Sequence, residues 1–338
     1  MRWFEIDPLD TLFFRGAEPM EPGETHVQSS EFPPLPITLI GAVRTAALVR
    51  AGVTFMPGWN DMVDAGVRTS IGVDIQPPAT FRVMGPLFAY HGEPLYPTPA
   101  DWRQGEDGRM TRLNPTNAGV AGRWGIRHSS GTVSLPWFLG EPSKEAAFTR
   151  WVTAQSLAAG DRGDRVSLVE QEKVFATESR VGLALEGRRA KDGHLYSTSH
   201  IRLRSGVTML FGLDGVPSSV FPDTGLLQWG GEQRLVQYRG CSGVTLPWSD
   251  GGSRWLALIP VQANRLDPAV PALHFEGQSV PLSTWVSGKF RKIGGWNLAT
   301  RSHKPLISWF PAGSVFYPAQ APDRECHERA GHLGLVWI

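Results

Sequence analysis

The chain has 338 residues, 41% of them hydrophobic and 19% charged, which suits about two domains of roughly 150 residues and is too apolar for a disordered protein. Its 33 basic and 32 acidic residues nearly cancel, and its two cysteines, Cys241 and Cys326, exclude a disulfide framework and a cysteine-rich zinc site. No apolar run approaches the ~18 residues of a membrane span, and MRWFEIDPLD at the start holds no signal core, so a cytoplasmic protein away from membranes is expected.

The 38 Gly and 27 Pro predict many turns, short strands and long loops. Arg2 to Asp7 (RWFEID) alternates and predicts a first strand. In residues 32–52, Pro33, Pro34 and Pro36 hold the chain extended before a helix with Thr38 as N-cap and Gly52 as stop. Leu39, Val43 and Ala47 form its buried stripe, leaving Gly41, Arg44 and Thr45 on the other side. Residues 55–170 are irregular and read as an insertion, with one helix over 143–160 capped by Ser143, buried through Phe148, Trp151 and Val152, and stopped by Gly160.

Residues 178–204 alternate on both sides of the polar tip EGRRAKDG, which predicts a β-hairpin. Val181, Leu183 and Leu185 share one face with Leu195, Ile201 and Leu203. Arg180 with Gly182 and Ala184, and Tyr196, His200, Arg202 and Arg204, share the other. A strand over 207–213, a short helix near 217–228 and a strand over 234–240 follow. The order β, α, insertion, β, β, α, β is ferredoxin-like. The fold class expected is therefore α+β: a ferredoxin-like domain over 1–240, then a β-rich domain over 241–338 with strands near 255–262, 308–319 and 334–338.

Charge is unevenly placed. Residues 1–31 carry seven carboxylates against two arginines, whereas Gly277 to Pro322 has five cations (Lys289, Arg291, Lys292, Arg301, Lys304) and no carboxylate. Residues 108–140 hold Arg109, Arg112, Arg123 and Arg127 alone. Acid-free basic stretches in a neutral chain predict local anion-binding surfaces. Arg123–Trp124, Arg127–His128 and Phe290–Lys292 with Trp296 interleave cations with flat rings, the mixture that holds single-stranded nucleic acid.

No GxSxG elbow, phosphate-binding GxxxxGK loop or HExxH motif is present, and no cofactor is expected. Cys326, His327 and His332 read as a surface turn, not a metal site. These features give an anion- or RNA-binding two-domain α+β protein.

Five segments in order then carry a resemblance: DTLFFRG (10–16), FPPLPITLIGAVRTAA (32–47), ESRVGLAL with DGHLYSTSHIRL (178–203), GGEQR (230–234) and KPLISWFPAGSVFY (304–317). Together they resemble the third subunit of the Cmr complex, a RAMP-superfamily component of the type III-B CRISPR effector. The resemblance implies a ferredoxin-like RAMP domain followed by a second, degenerate one. It implies a non-catalytic subunit that binds the 5′ handle of a CRISPR RNA and docks on the large polymerase-like subunit and a backbone RAMP subunit. The family's C-terminal glycine-rich loop is shortened here to RAGHLGLVWI (329–338).

On that reading the helix near Thr38 and Gly41 offers its amides and Arg44 to a phosphate. Arg180, Tyr196, His200, Arg202 and Arg204 line a strand face for the sugar–phosphate chain. Arg15 points outward from two anchoring phenylalanines, and Arg234 and Lys304 of the matching motifs complete the RNA-binding set. Arg188, Arg189 and Lys191 project from the hairpin tip as a thumb toward nucleotides or neighbouring subunits. For Arg44 the competing reading is a salt bridge to the acidic N-terminal segment, and for the hairpin an ordinary solvated face. About five phosphate contacts would give a log–log salt slope of about −3.5. Two other functions stay open: a metal-independent RAMP endoribonuclease using His26 in the loop before the first helix, and a tryptophan-rich carbohydrate-binding β protein.

Overall fold

The computed structural model describes residues 1–16, 26–56, 58–73, 78, 80–116, 134–137, 150–186, 189–267, 271–297 and 302–338. The chain is a mixed α/β protein of mostly antiparallel sheets with few helices. It forms two compact units, each assembled from three stretches: Met1–Gly92, Glu172–Gly243 and Ile293–Leu306 in the first, Glu93–Gln171, Val244–Lys292 and Ile307–Ile338 in the second.

In the first unit, β1 (Arg2–Pro8) obeys its alternation. Phe4 and Ile6 are fully buried, while Glu5 and Asp7 lie on the opposite face. β2 is His26–Gln28 and α1 is Pro36–Arg50. Leu39, Val43 and Ala47 are buried as expected, and Gly52 (φ +87°) ends the helix. The N-cap is Leu35, not Thr38. Proline at the first helical position supplies the helical φ and has no N–H to satisfy. The Thr38 hydroxyl instead donates to Leu35 O (2.8 Å) and accepts from Trp229 Nε1 (3.2 Å).

β3 (Arg82–Tyr90), inside the stretch expected to be an insertion, is a full strand of the main sheet. Its run of buried residues (Val83, Met84, Leu87, Phe88, Ala89) lacks clean alternation, because both faces are covered. β4 (Phe175–Glu186) and β5 (Arg189–Leu203) form the hairpin, and β6 (Val207–Asp214) and β8 (Leu235–Cys241) follow the sequence reading. Strand pairing continues into the tip, where Glu186 pairs with Arg189.

The helix expected near 217–228 is a turn followed by β7 (Thr224–Gln228). Pro217 O accepts from Val220 N and Phe221 N, closing a single turn, and Pro222 then lacks the donor a helix needs. Leu227 points in and Leu226 out, the period of a strand. The strands of the main sheet that belong to this unit run β7-β8-β1-β6-β3 with every neighbour antiparallel, and β2 adds in parallel to β5. Phe4 stacks on Phe211 (centroids 5.0 Å apart) and meets Phe221 and Tyr238 edge-on beneath it. Each such ring buried contributes roughly 1.5–3 kcal/mol.

The second unit is built on a six-stranded sheet in the order 266–267, 272–275, 278–286, 315–318, 255–257, 335–337. Trp255, Phe275, Phe310, Phe316 and Trp337 form its core. The helix expected over 143–160 is shorter. Trp151–Val152 is a buried strand paired with Glu93–Pro97, and α2 (Ala154–Asp161) starts at Thr153, whose Oγ1 accepts from Ser156 N. Positions 143–149 lie outside the described residues. Gly160 is not a stop but an internal position, where a Cβ would stand 2.2 Å from the Trp102 ring. Cys326, His327 and His332 lie on a helix, α3 (Arg324–His332), rather than a surface turn, because Asp323 caps it through Cys326 N.

A polar clasp is buried among these elements. Arg254, fully buried, lies 2.7 Å from Asp101 and 2.6 Å from Asp161. The Tyr317 hydroxyl lies 2.6 Å from Asp101 Oδ2 and 2.8 Å from Leu113 O, and Trp102 Nε1 donates to Asp161. Burial alone would lower the Arg254 pKa, but the two carboxylates more than reverse this and keep it charged.

Candidate nucleic-acid interface

Three sequence motifs of the first unit converge on Asp10. Leu12 exchanges both backbone hydrogen bonds with Ile201 of β5 at 2.8 Å, which lays the 10–16 segment along the hairpin. Phe13 O accepts from Gly231 N (2.7 Å), joining the same segment to the 230–234 loop. At Gly230 (φ +101°) a Cβ would stand 2.6 Å from Phe13 O, so only glycine fits. Glu232 and Gln233 in this loop both take left-handed backbone (φ +54°), a strain of about 1–2 kcal/mol per residue. Strain of this kind concentrates at functional sites.

Asp10 binds Arg180 (3.0 Å), Arg202 (3.2 Å) and Arg234 (2.8 Å). Glu178 binds Arg180 (3.0 Å) and Arg202 (2.6 Å), and Glu232 binds Arg234 (3.0 Å). Three guanidiniums thus face three carboxylates. Partial burial would raise the Asp10 pKa, but hydrogen bonds from Arg180, the Thr11 backbone and Arg202 outweigh it and hold the carboxyl at about 2. Hydrogen bonds from Arg202 and then Arg180 likewise hold Glu178 below the ordinary carboxylate range. Arg180, Arg202 and Arg234, expected as open cations, are ion-paired.

His200 departs from the expected solvent-facing strand. It is fully buried, stacked on Phe13 with centroids 5.0 Å apart, and bonded to Thr11 Oγ1 (3.2 Å) and Thr198 Oγ1 (3.1 Å). Burial lowers its pKa although Glu232 lies 3.4 Å away, so the ring is neutral at pH 7. The physical reason is the 10–16 segment, which covers this part of the hairpin face.

The other expected contacts are spread over the first unit. Arg15 is exposed beyond the buried Phe13 and Phe14. Arg204 is exposed and donates to Glu172 O (2.9 Å). Gly41 is exposed with open space where a Cβ would stand, and Arg44, three residues on, shares its side of α1. Lys304 is half-buried, and burial followed by the Arg44 charge pushes its pKa down. Thr38 is occupied by the two hydrogen bonds given above. Arg189 is exposed and Lys191 lies on β5, while Arg188 lies outside the described residues. Tyr196 pairs through its backbone with Gly182 and with His26 of β2; their side chains are not among those described. Arg123, Trp124, Arg127 and His128 also lie outside the described residues, as does the Trp296 side chain.

Sequence reasoning missed Asp10, Glu178 and Glu232. One signal was available: the register sets Glu178 opposite His200, which makes Arg202 its diagonal same-face neighbour. No group of His, Cys, Asp and Glu that could hold a metal occurs among the described residues. Nor is any described helix long and apolar enough to cross a membrane.

The fold is similar to that of chains in type III-B CRISPR complexes. A chain of a type III-B Cmr-β complex bound to cognate target RNA and AMPPnP is similar at a TM-score of 0.57 and 15% identity, covering 99% of both chains. A chain of the same kind of complex bound to cognate target RNA gives 0.54 and 15%, covering 100% of this chain and 99% of that one. No curated protein matches the sequence. The sequence description of CRISPR-associated protein (Cas_Cmr3) matches residues 4–332, and the chain belongs to that family, the RAMP-like Cmr subunits of type III CRISPR effectors.

Proposed function

We propose that this chain is a non-catalytic RNA-binding subunit that anchors the 5′ handle of a CRISPR RNA and bridges the large polymerase-like subunit to a backbone RAMP subunit. In this reading the two halves are ferredoxin-like, the second degenerate. The observation that supports it most directly is the Arg44–Lys304 pair. Both are half-buried, and burial followed by the Arg44 charge lowers the Lys304 pKa, so the two cations lie near one another. Neighbouring cations set up a positive potential that attracts a phosphate. Gly41 leaves the adjoining helix face smooth for a sugar–phosphate chain.

Because Arg180, Arg202 and Arg234 are paired to carboxylates, the handle is assigned to Arg15, Arg44, Arg204 and Lys304. Four contacts at roughly −0.7 each give a log–log salt slope of about −2.8, shallower than five would. Fluorescence anisotropy of the full chain with a handle-bearing RNA tests this. Arg44→Ala and Lys304→Gln are each expected to weaken binding and flatten the slope by about 0.7. A wild-type slope near zero, or both variants binding as wild type, refutes the assignment.

A further inference from the structure

The second unit contains a cleft of about 620 Å³, lined by none of the residues assigned above to the handle and including Arg112 of the acid-free stretch 108–140. That volume lies within the range of small-molecule sites. Leu157 of α2, Leu246 and Ile338 give it an apolar floor. Trp248 forms one wall and is 55% exposed, unusual for a chain that fully buries Trp102, Trp229 and Trp255.

This indole is held in place. Its Nε1 donates to Asp250 (3.1 Å), and its ring meets His327 edge-on at 5.0 Å. His327 is itself fixed, with Nδ1 accepting from Trp255 Nε1 (3.1 Å) and the ring tilted against Trp337 at 4.7 Å. A flat aromatic shelf thus stands preformed at the cleft.

The lining has the polar groups a nucleotide needs. Arg112 and Arg162 both contribute to it. Arg112 is oriented by Asn114 (3.1 Å), and Arg162 makes only an exposed pair with Asp164 (3.2 Å), of a kind worth little in water and easily exchanged for a phosphate. Asp161, a carboxylate of the lining, is already committed to Arg254 and Trp102, so it does not repel an anion as a free carboxylate would. Ser249 and Ser253 add hydroxyls that can donate to or accept from a base edge.

We propose that this cleft binds one unstacked nucleotide, the base lying on Trp248 and the phosphate between Arg112 and Arg162. The nucleotide reaches it either within an RNA strand or as a free mononucleotide. The site lies wholly in the second unit and does not depend on the Arg44–Lys304 reading.

The test uses the full chain with two probes: 5′-AMP by calorimetry, and a fluorescein-labelled eight-nucleotide oligoadenylate by anisotropy. Trp248→Ala is expected to weaken whichever probe binds by about tenfold, in line with the loss of one base–aromatic stack. Trp248→Phe, which keeps a flat ring, should recover most of that loss. Arg162→Ala should flatten the oligonucleotide salt slope by about 0.7. Binding of 5′-AMP that Trp248→Ala weakens identifies a mononucleotide site, and oligonucleotide binding alone that is weakened in the same way identifies a strand-borne one. Wild-type affinity for both probes in Trp248→Ala, or binding of neither probe by the wild type, overturns the proposal. So does a cleft that takes an apolar peptide through Trp248 but no nucleotide.

Discussion

Asp10 accepts from three arginines that lie 170, 192 and 224 residues away in sequence. Its folded pKa of about 2 sits below the ordinary aspartate value of 3.8. The stability it contributes is therefore fully present above about pH 3.8 and is lost as pH falls toward 2. Asp10→Asn should lower stability at pH 7 by about 1 kcal/mol, the modest scale of partly exposed pairs. It should also remove this residue's share of the acid dependence between pH 4 and 2, read from chemical denaturation at several pH values. Equal acid sensitivity in wild type and variant would show that the cluster does not couple to folding.

Among the elements, the hairpin was legible and its surroundings were not. Alternation of Val181, Leu183 and Leu185, and of Ile201 and Leu203, is a local signal that needs nothing beyond the strand period. That the opposite face is half-covered, with His200 buried on it, depends on the 10–16 segment docking at Leu12 and on Gly230 approaching Phe13 O. Gly230→Ala is accordingly expected to destabilise the protein by more than about 1 kcal/mol, since alanine meets both a positive φ and a 2.6 Å contact. Thermal unfolding checks this, with Gly41→Ala, which meets nothing within 4 Å, as the contrasting substitution in the same unit. The helix near 217–228 misled for the opposite reason. Two leucines side by side fit either period, and the pairing of β7 with β8 decided for the strand.

At the scale of the whole molecule, each unit gathers three distant stretches, and in the second a single polar clasp joins all of them. Arg254 comes from Val244–Lys292, Asp101 and Asp161 from Glu93–Gln171, and Tyr317 from Ile307–Ile338. Removing one partner of a buried ion pair strands the others without water. Arg254→Ala is therefore expected to cost roughly 3–5 kcal/mol. Tyr317→Phe should cost about 1 kcal/mol, the net value of one hydrogen bond. Denaturant titration of both variants checks the ranking, and an Arg254→Ala loss no larger than that of Tyr317→Phe would contradict the clasp.

The order of motifs from DTLFFRG to KPLISWFPAGSVFY was enough to point to the family, and the local periods of β1, α1 and the hairpin were enough to place those elements. Sequence carries such features because each depends on residues a few positions apart. Which arginines meet carboxylates, whether His200 faces water, and that Trp248 stands over a cleft were settled only by the tertiary structure. Those outcomes depend on which distant segments share a surface, and Coulomb attraction and burial act across space without regard to separation along the chain.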